Sequence, residues 1–529
     1  MVKKTSKKRK LPEKSVSGSV LNIAFDSTID SLDPQKAVNA SSFEMIGNCI
    51  DGLMQMADDG SVQKAICKEE IVSSDGLKHT FKLRDDVFWS NGELVTAHDF
   101  VYGWERAVDP ATQSEYAFMM RDIAQVKNAG AIMAGQMDKN QLGVRAVDDY
   151  TFEVQLRVPV SFFNQLLYFC TFYPANQKFI EKVGENYATT PENFLCNGAF
   201  ILTEYEPQGK GITFIKNTAY YDADKVSLAG LNYKIVADGA EALQKFKNGE
   251  VDLAEVAGSQ ISQVKDSPEF KSVASGFLYY LTFNLDNPYF KSKNLRLALS
   301  LAIDRNEVVD NLGDGSQAAY SAVPRGYAFD SNGQDFTPDG VEFPETCDYD
   351  PERAREYFRM AQSELGQREF SFSLLVAEIE AQLTTAKTIK EQIETLLPEI
   401  HIELNVVSKK ERRKLMVAHK FEVGLTNWGP DYADPMTYLS MWVTGNDNNM
   451  GNYVNPKYNA IIASCSDGEL CTKPAERWKA MKDGEKMVMD DVVISPVYQK
   501  CNADLIKTNV RGIAFHAVAI NRIYKHTSK

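Results

Sequence analysis

Apolar and polar residues follow two repeating patterns along this chain. In the segments 78–83 (KHTFKL) and 151–156 (TFEVQL) they alternate one by one, which predicts strands with one buried face. In the segments 294–302 and 381–397 the apolar residues recur every three or four positions, which predicts amphipathic helices. A further strand is predicted at 401–407. Because helices and short strands alternate throughout, the sequence predicts an α/β fold.

The composition is that of a folded protein with an acidic balance. The chain has 529 residues, of which 44% are hydrophobic and 25% are charged. This length exceeds what a single hydrophobic core usually serves, so two or more lobes are expected. Lys and Arg number 58 against 72 Asp and Glu, which gives a net charge of −14. Nucleic acid is therefore not expected as a partner, since its phosphates bind clustered cations.

The start of the chain differs from the rest. Residues 1–14 contain seven Lys or Arg and one Glu, which predicts a disordered basic tail; the alternative is a nuclear-import or anionic-surface patch. No apolar run of about 18 residues is present, so no transmembrane helix is predicted. No signal-peptide core follows either, which leaves two alternatives: a cytoplasmic protein, or an exported one whose signal was removed.

The eight cysteines allow two interpretations. None has the spacing of a CxxC motif or a zinc site, so no metal centre is expected. Cys465 and Cys471 flank a short polar segment and are the first candidate disulfide, and Cys170 with Cys196 is the second. The alternative is that the cysteines are buried thiols.

Signatures of catalysis are missing from the sequence. It contains no GxSxG elbow, no HExxH, no Walker lysine loop and no GxGxxG after a strand, and its six histidines are scattered. We therefore expect no enzymatic activity and no cofactor.

One loop combines acidic and aromatic residues. A strand predicted at 421–425 leads into a Gly-Pro turn that bears Trp428, Asp431 and Asp434. In open α/β sheets, ligands collect beyond the carboxyl ends of strands. A carboxylate beside an aromatic ring suits a ligand ammonium group. The alternative is that both acids only cap turns and the helix that follows.

Seven segments resemble, in their order, family 5 of the extracellular solute-binding proteins of ABC importers, specifically the oligopeptide-binding branch. The resemblance covers residues 20 to 525. The segments are FKLRDDVFWSNGELVTAHDFVYGWERAVDPATQSEYA, LGVRAVDDYTFEVQL, NGAFIL, FKNGEVDLAE, FNLDNPYFKSKNLRLALSLAIDR, WGPDYADPMTYL and ISPVYQ.

The resemblance implies a periplasmic-binding-protein-like (class II) fold with three lobes and hinged closure. Domain I would be discontinuous, and domain III would close onto it around an extended peptide. The implied boundaries are 15–41, 173–275 and 502–529 for domain I, 42–172 for domain II, and 276–501 for domain III.

The resemblance also implies binding residues. Family members hold the α-amino group of the peptide with the Asp of a W-x-x-D loop, which matches Asp431 here. Trp428 would line the cleft with its neighbours Asn427 and Gly429. The other residues carried over are Ser31, Leu32, Tyr116, Tyr280, Thr282 and Tyr498.

The chain departs from the family pattern at three places, one of which is that Glu255 and Val256 replace the usual Tyr and Asn after the GExDL strand. Some members have a disulfide where Phe277 and Gly429 align, so that bridge is missing here. Some members bind the peptide carboxylate with basic residues, and here Met416 and Leu425 occupy those positions. Ligand specificity is therefore not fixed by the resemblance.

The implied function is capture of oligopeptides outside the cytoplasm and their delivery to ABC permease subunits with their ATPases. The resemblance implies an extracellular or periplasmic monomer tethered by a lipid, although this sequence has no lipobox. One alternative is a non-peptide solute such as a metal chelate, haem or glycan. A second alternative is a hydrolase that uses the same cleft.

Overall fold

The computed structural model describes residues 18–207, 209, 211–330 and 332–529, and these form two compact units. The first unit comprises the described residues up to Val256 together with Asp266–Lys271 and Asp504–Lys529. The second unit comprises Ala257–Lys265 and Ser272–Ala503. The basic tail predicted at residues 1–14 lies outside the described residues, and the boundaries of three lobes stay a prediction.

Strands and helices alternate along both units, which confirms the α/β class. The strands are β1 Val20–Phe25, β2 Met54–Met56, β3 Val62–Lys64, β4 Cys67–Val72, β5 Lys78–Leu83, β6 Val144–Asp148, β7 Thr151–Gln155, β8 Phe200–Glu206, β9 Gly211–Lys216, β10 Gly230–Ile235, β11 Leu253–Val256, β12 Phe270–Phe283, β13 Gln317–Ala318, β14 Phe370–Ala377, β15 Ile400–Val407, β16 Val423–Trp428, β17 Ile494–Ile506, β18 Ala514–Phe515 and β19 Arg522–Ile523.

The α-helices connect these strands. They are α1 Ala40–Cys49, α2 Ala97–Val108, α3 Ala129–Met133, α4 Gln177–Val183, α5 Gly239–Lys247, α6 Ile261–Val264, α7 Lys293–Leu301, α8 Arg305–Leu312, α9 Pro344–Cys347, α10 Pro351–Leu365, α11 Glu380–Leu396, α12 Lys409–Val417, α13 Met436–Leu439, α14 Pro456–Ser466 and α15 Pro474–Asp490. No helix among the described residues is both long and apolar enough to cross a membrane.

The first unit contains two principal sheets. One has the strand order β11-β1-β10-β9-β8, with β1 parallel to β10 and β9 antiparallel to both of its neighbours. The other is antiparallel, in the order β4-β5-β7-β6, and pairs Phe81 with Phe152. Strands β5 and β7 are the alternating segments 78–83 and 151–156, so that prediction is confirmed.

The second unit contains a sheet that places several strand ends together. The order is β15-β14-β16-β12-β17, and β14 runs parallel to both β15 and β16. The carboxyl ends of these three strands, at Ala377, Val407 and Trp428, therefore lie along one edge, which we call the carboxyl edge. Helices α11 and α12 begin at this edge, directly after β14 and β15.

The core of the second unit lies between this sheet and its helices. Ala386, Ile389 and Ile393 of α11 are buried against it together with Leu281 and Leu425. Each large side chain of this kind contributes about 1.5–3 kcal/mol when buried. The apolar repeat that predicts this helix is thus its core-facing stripe.

The eight cysteines are free, buried thiols, so neither predicted disulfide is formed. Cys465 and Cys471 turn their thiols to backbone carbonyls, of Arg477 at 3.8 Å and of Cys465 at 3.6 Å. Cys196 lies beside Cys49. The backbone carbonyl of Cys49 accepts hydrogen bonds from the amides of Asn197 and Gly198, at 3.1 and 2.9 Å. The disulfide prediction was wrong, because these thiols fill buried positions as small apolar groups.

Candidate functional site

Trp428 ends β16 at the carboxyl edge and is fixed by the helix that follows. Its indole Nε1 lies 3.5 Å from Thr437 Oγ1, and its carbonyl oxygen accepts a hydrogen bond from Tyr438 at 3.2 Å. Both partners belong to α13. The helix therefore orients the aromatic ring, which is itself half-buried.

Asp431 lies in the loop between β16 and α13 with an unpartnered carboxylate. Among the described residues, no donor hydrogen-bonds to it and no cation lies within 4 Å. Burial raises the pKa of this carboxyl group from 3.8 to about 6. A desolvated carboxylate without a counter-charge is unfavourable in its ionised form. The position therefore suits a cation that comes from a ligand.

Asp434, three residues later, is hydrogen-bonded within the protein through both carboxylate oxygens. Its two oxygens accept hydrogen bonds from Arg477 at 2.7 and 2.8 Å, and both side chains are buried. Its Oδ1 also accepts a bond from the Met436 amide at 3.0 Å, at the start of α13. The capping interpretation therefore describes Asp434, whereas Asp431 makes no such bond in the described structure.

Gly429 is held against an aromatic ring of the neighbouring strand. Strands β12 and β16 pair antiparallel, with Leu278 opposite Trp428, so Phe277 comes next to Gly429. A Cβ at Gly429 would lie 2.5 Å from Cζ of Phe277. A larger residue there would require the ring to move, and the ring occupies the place where some family members have a disulfide. Phe277 itself remains 44% exposed.

Arg412 is a buried cation for which the described residues supply no ion pair, and sequence reasoning missed it. It lies in the first turn of α12, at the carboxyl edge, and is 5% exposed. Its Nη1 donates to Gln382 Oε1 at 2.7 Å and to the Leu425 carbonyl at 3.0 Å. Its Nε is buried without a hydrogen-bond partner in the described structure. Burial lowers the pKa of its guanidinium group.

Position 412 precedes Met416 by four residues, which is about one helical turn. Met416 is one of the two places where some family members have a basic residue, and here it is buried beside Leu375 and Phe421. The cation therefore lies one turn earlier on the same helix face. The available signal was the basic run at 409–414, which alone does not tell which residue turns inward.

Other buried arginines of the second unit are satisfied differently. Arg305 donates its Nε to the Pro496 carbonyl at 2.6 Å and its Nη1 to two further carbonyls. Arg296 likewise bonds the carbonyls of Val492 and Asp491, at 3.0 and 2.7 Å. These two guanidinium groups tie loops together, whereas the Nε of Arg412 is left without an acceptor.

Three predicted residues of the second unit are buried in its interior. Tyr498 stacks on Tyr279 with ring centres 4.4 Å apart, and Tyr280 and Thr282 are buried along β12. Thr282 is four residues beyond Leu278, which pairs with Trp428, so it lies about 13 Å along the strand from that position. Asn427, which pairs with Tyr279 next to Trp428, is half-buried at the edge, like Trp428 and Gly429. Ligand contacts at these positions stay predictions.

Three predicted residues belong to the first unit. Ser31 Oγ accepts a hydrogen bond from the Asp33 amide at 3.0 Å, and Leu32 is buried. The ring of Tyr116 lies 4.8 Å from that of Phe169 and 5.6 Å from that of Phe43. Their contacts with a ligand also stay predictions.

The chain is similar to known proteins in both sequence and structure. Residues 61–450 match the family model for "Bacterial extracellular solute-binding proteins, family 5 Middle". The dipeptide-binding protein of Lactococcus lactis is 30% identical over 515 residues, covering 94% of this chain and 92% of its own. Listeria monocytogenes OppA bound to peptide is 32% identical, with a TM-score of 0.70 and coverage of 97% and 99%.

A third relative is the periplasmic murein tripeptide-binding protein MppA in its unliganded open form. It is 27% identical, has a TM-score of 0.86, and the match covers 97% of this chain and 98% of that one. The match to the family model spans well over half of the chain, and the likeness to solved structures spans nearly all of it. The chain belongs to family 5 of the bacterial extracellular solute-binding proteins.

Proposed function

We propose that this chain is the peptide-capturing component of an ABC importer and delivers its ligand to permease subunits with their ATPases. Relatives named as dipeptide- and oligopeptide-binding proteins support this function. The observation that carries it here is the carboxylate of Asp431, which is desolvated, unpartnered in the described structure and three residues from Trp428.

Asp431 would bind the α-amino group of the peptide. A charge-assisted hydrogen bond would supply the counter-charge that this carboxylate lacks. The half-buried ring of Trp428 would contact the first residues of the ligand, and the ligand backbone would pair with exposed backbone groups like an added strand. Hydrated pockets would accommodate the ligand side chains, so that peptides of many different sequences could bind.

Arg412 would bind the carboxylate at the other end of a short peptide. A carboxylate would satisfy the orphaned Nε and neutralise a buried guanidinium group that has no acidic partner in the described residues. This assignment replaces the two basic positions that the family pattern offers and that Met416 and Leu425 occupy here.

The proposal includes the setting of this function. The protein would act outside the cytoplasm as a monomer, tethered to the membrane by a lipid, and would release its ligand chemically unchanged. Its relatives are named as binding proteins, which supports a binding role over a hydrolytic one.

Native mass spectrometry of the purified protein, with the released ligand sequenced, tests the proposal. We expect intact peptides with free amino termini. Recovery of a metal chelate, haem or glycan, or of cleaved peptides after incubation with a pool, would contradict it. Titration with one peptide and its N-acetylated form then tests the site: acetylation should weaken binding to the wild type but not to Asp431→Asn.

A matched control separates the site from general charge effects. Asp483 lies exposed on α15 of the same unit and has no ion-pair partner in the described structure. Asp483→Asn removes the same charge and should retain the full discrimination between free and acetylated peptides.

A further inference from the structure

A basic pocket lies in the first unit, apart from the residues assigned to peptide binding. Its volume is about 340 Å³. Its basic lining residues come from four parts of the sequence and are Lys64, Arg84, Lys225, Lys525 and His526, and Asp222 is an acidic residue in the same lining. Such a concentration of cations contrasts with the net charge of −14 of the whole chain.

Two of these basic residues form no direct ion pair in the described part of the chain. The others are paired: Arg84 with Asp86 at 2.9 Å, Lys225 with Asp222 at 3.0 Å, and His526 with Asp58 at 3.1 Å. For Lys64 and Lys525, no carboxylate lies within 4 Å among the described residues. Asp51, Asp58 and Asp222 act on Lys525 from farther away, so the two lysines lack a direct ion pair but not every counter-charge.

Lys525 is the buried one of the two. It is 7% exposed, and its ammonium group donates to the side-chain oxygen of Gln55. Burial lowers the pKa of this lysine. Removing an ammonium group from water without a direct ion pair is costly, and the carboxylates of Asp51, Asp58 and Asp222 offset only part of that cost. The position therefore favours an anion that enters the pocket.

A second, smaller cavity is also lined by Lys525. Its volume is about 20 Å³, and it shares Gln55 and Lys525 with the basic pocket. Two other lining side chains are almost fully buried: Tyr168 is 2% exposed and His516 is 6% exposed. In the described structure, the hydroxyl of Tyr168 and both ring nitrogens of His516 have no hydrogen-bond partner.

These orphaned groups indicate a missing polar occupant. A cavity of this size holds about one water molecule, which could bridge Tyr168 or His516 to a group bound at Lys525. Buried polar groups in native proteins are nearly always hydrogen-bonded. The two cavities together therefore offer an anion positively charged side chains and buried groups that can form hydrogen bonds.

We propose that these cavities form a binding site for an oxyanion of the phosphate class, either inorganic phosphate or the phosphate of a lipid headgroup. A phosphate carries about −1.5 to −2 charges at pH 7, which complements two lysines that have no direct ion pair in the described structure. Lys525 contacts it from within and Lys64 from the rim. The remaining volume holds a group attached to the phosphate.

Titration of the full chain with inorganic phosphate at low ionic strength tests this site. We expect one saturable site in calorimetry and a phosphate-dependent rise in the thermal unfolding temperature. Lys64→Gln, at an exposed position, should weaken phosphate binding at least tenfold. Lys525→Gln should abolish it, and circular dichroism checks its folding. Lys182→Gln, exposed on α4 of the same unit, is the control and should bind like the wild type.

Vesicle sedimentation distinguishes the two sources of phosphate. Binding to phosphatidic acid vesicles that is lost in Lys64→Gln supports a lipid headgroup. Binding of free phosphate without vesicle binding supports a soluble anion. The proposal is overturned if the wild type shows no saturable phosphate binding, or if Lys64→Gln binds phosphate as tightly as the wild type.

Discussion

Arg477 holds both carboxylate oxygens of Asp434, at 2.7 and 2.8 Å, deep inside the second unit. Asp431 lies three residues earlier in the same loop and has no such cation within reach in the described structure. One short loop thus contains an acid that stabilises the fold and an acid that the fold leaves desolvated. Replacement of each acid by Asn should therefore change the stability of the protein in opposite directions.

Asp431→Asn should weaken binding of peptides with a free amino group and stabilise the ligand-free protein. Loss of a buried ion-pair partner costs about 2–5 kcal/mol of binding. Because burial raises the pKa of Asp431, its ionisation opposes folding near neutral pH. The gain in the free energy of unfolding at pH 7 should be about 1–2 kcal/mol, after allowance for partial exposure. Calorimetry and denaturant unfolding measure both effects.

Asp434→Asn should instead destabilise the ligand-free protein. It leaves Arg477 buried without its counter-charge, and removal of one partner from a buried pair costs about 3–5 kcal/mol of stability. Urea unfolding of the two variants, side by side, gives the comparison. Equal stability changes in both would show that the two carboxylates do not differ as the structure indicates.

Peptide affinity should fall as the pH is lowered through about 6, the raised pKa of Asp431. The ionised carboxylate is needed to bind the ammonium group, so the association constant should drop about tenfold per pH unit below that value. The corresponding contribution of Asp431 to the stability of the free protein is present below pH 3.8 and is lost as the pH rises through about 6. Titrations between pH 4.5 and 8, at about half-unit steps, follow the affinity; a flat profile, or one that persists in Asp431→Asn, would exclude this residue.

Arg412→Gln should discriminate between peptides with a free and an amidated carboxyl end. Hydrogen bonds to charged groups contribute about 1.5–3 kcal/mol, so affinity for the free form should fall roughly 10- to 150-fold. The amidated form should change little. Arg413→Gln, at the exposed neighbouring position, is the matched control. Equal losses for both peptides would make Arg412 a structural residue only.

Gly429→Ala should destabilise the second unit, because the new methyl group overlaps the ring of Phe277. Overpacking of a well-packed core costs about 1–3 kcal/mol, and the loss here should lie near or below the low end of that range because the ring is 44% exposed and can move. Adding Phe277→Ala to this variant should recover most of that loss, which thermal unfolding of the single and double variants measures. If the double variant were no more stable than Gly429→Ala alone, the contact would not be the cause.

The eight thiols should be unreactive in the native protein and should all titrate with a thiol reagent in denaturant. Each is buried, and burial raises the pKa of Cys67 to about 12 and that of Cys347 to about 11. Thiolate is the reactive form, so both effects slow the reaction. Fewer than eight thiols in denaturant without reductant would indicate that a disulfide had formed after all.

Periodicity and local chemistry predicted a good part of this fold. The alternating strands β5 and β7 and the stripe of α11 follow from side-chain spacing, because each buries one face against one core. The position of Trp428 at a strand end followed from the Gly-Pro turn after it. These features depend on neighbours in sequence, which a single chain displays.

What escaped prediction depends on contacts between distant residues. Arg412 is one of several basic residues in a row, and only the folded helix shows which one turns towards Gln382. Lys64 and Lys525 meet in one pocket although 460 residues separate them. The disulfide prediction failed for the same reason: spacing suggested pairs, whereas the fold buries all of these thiols and points those of Cys465 and Cys471 at carbonyls.

The burial of every native cysteine makes this protein easy to label. A cysteine engineered at an exposed position near Trp428 would be the sole fast-reacting handle on the folded surface. An environment-sensitive fluorophore attached there would turn ligand capture into an optical signal, without removal of any native residue.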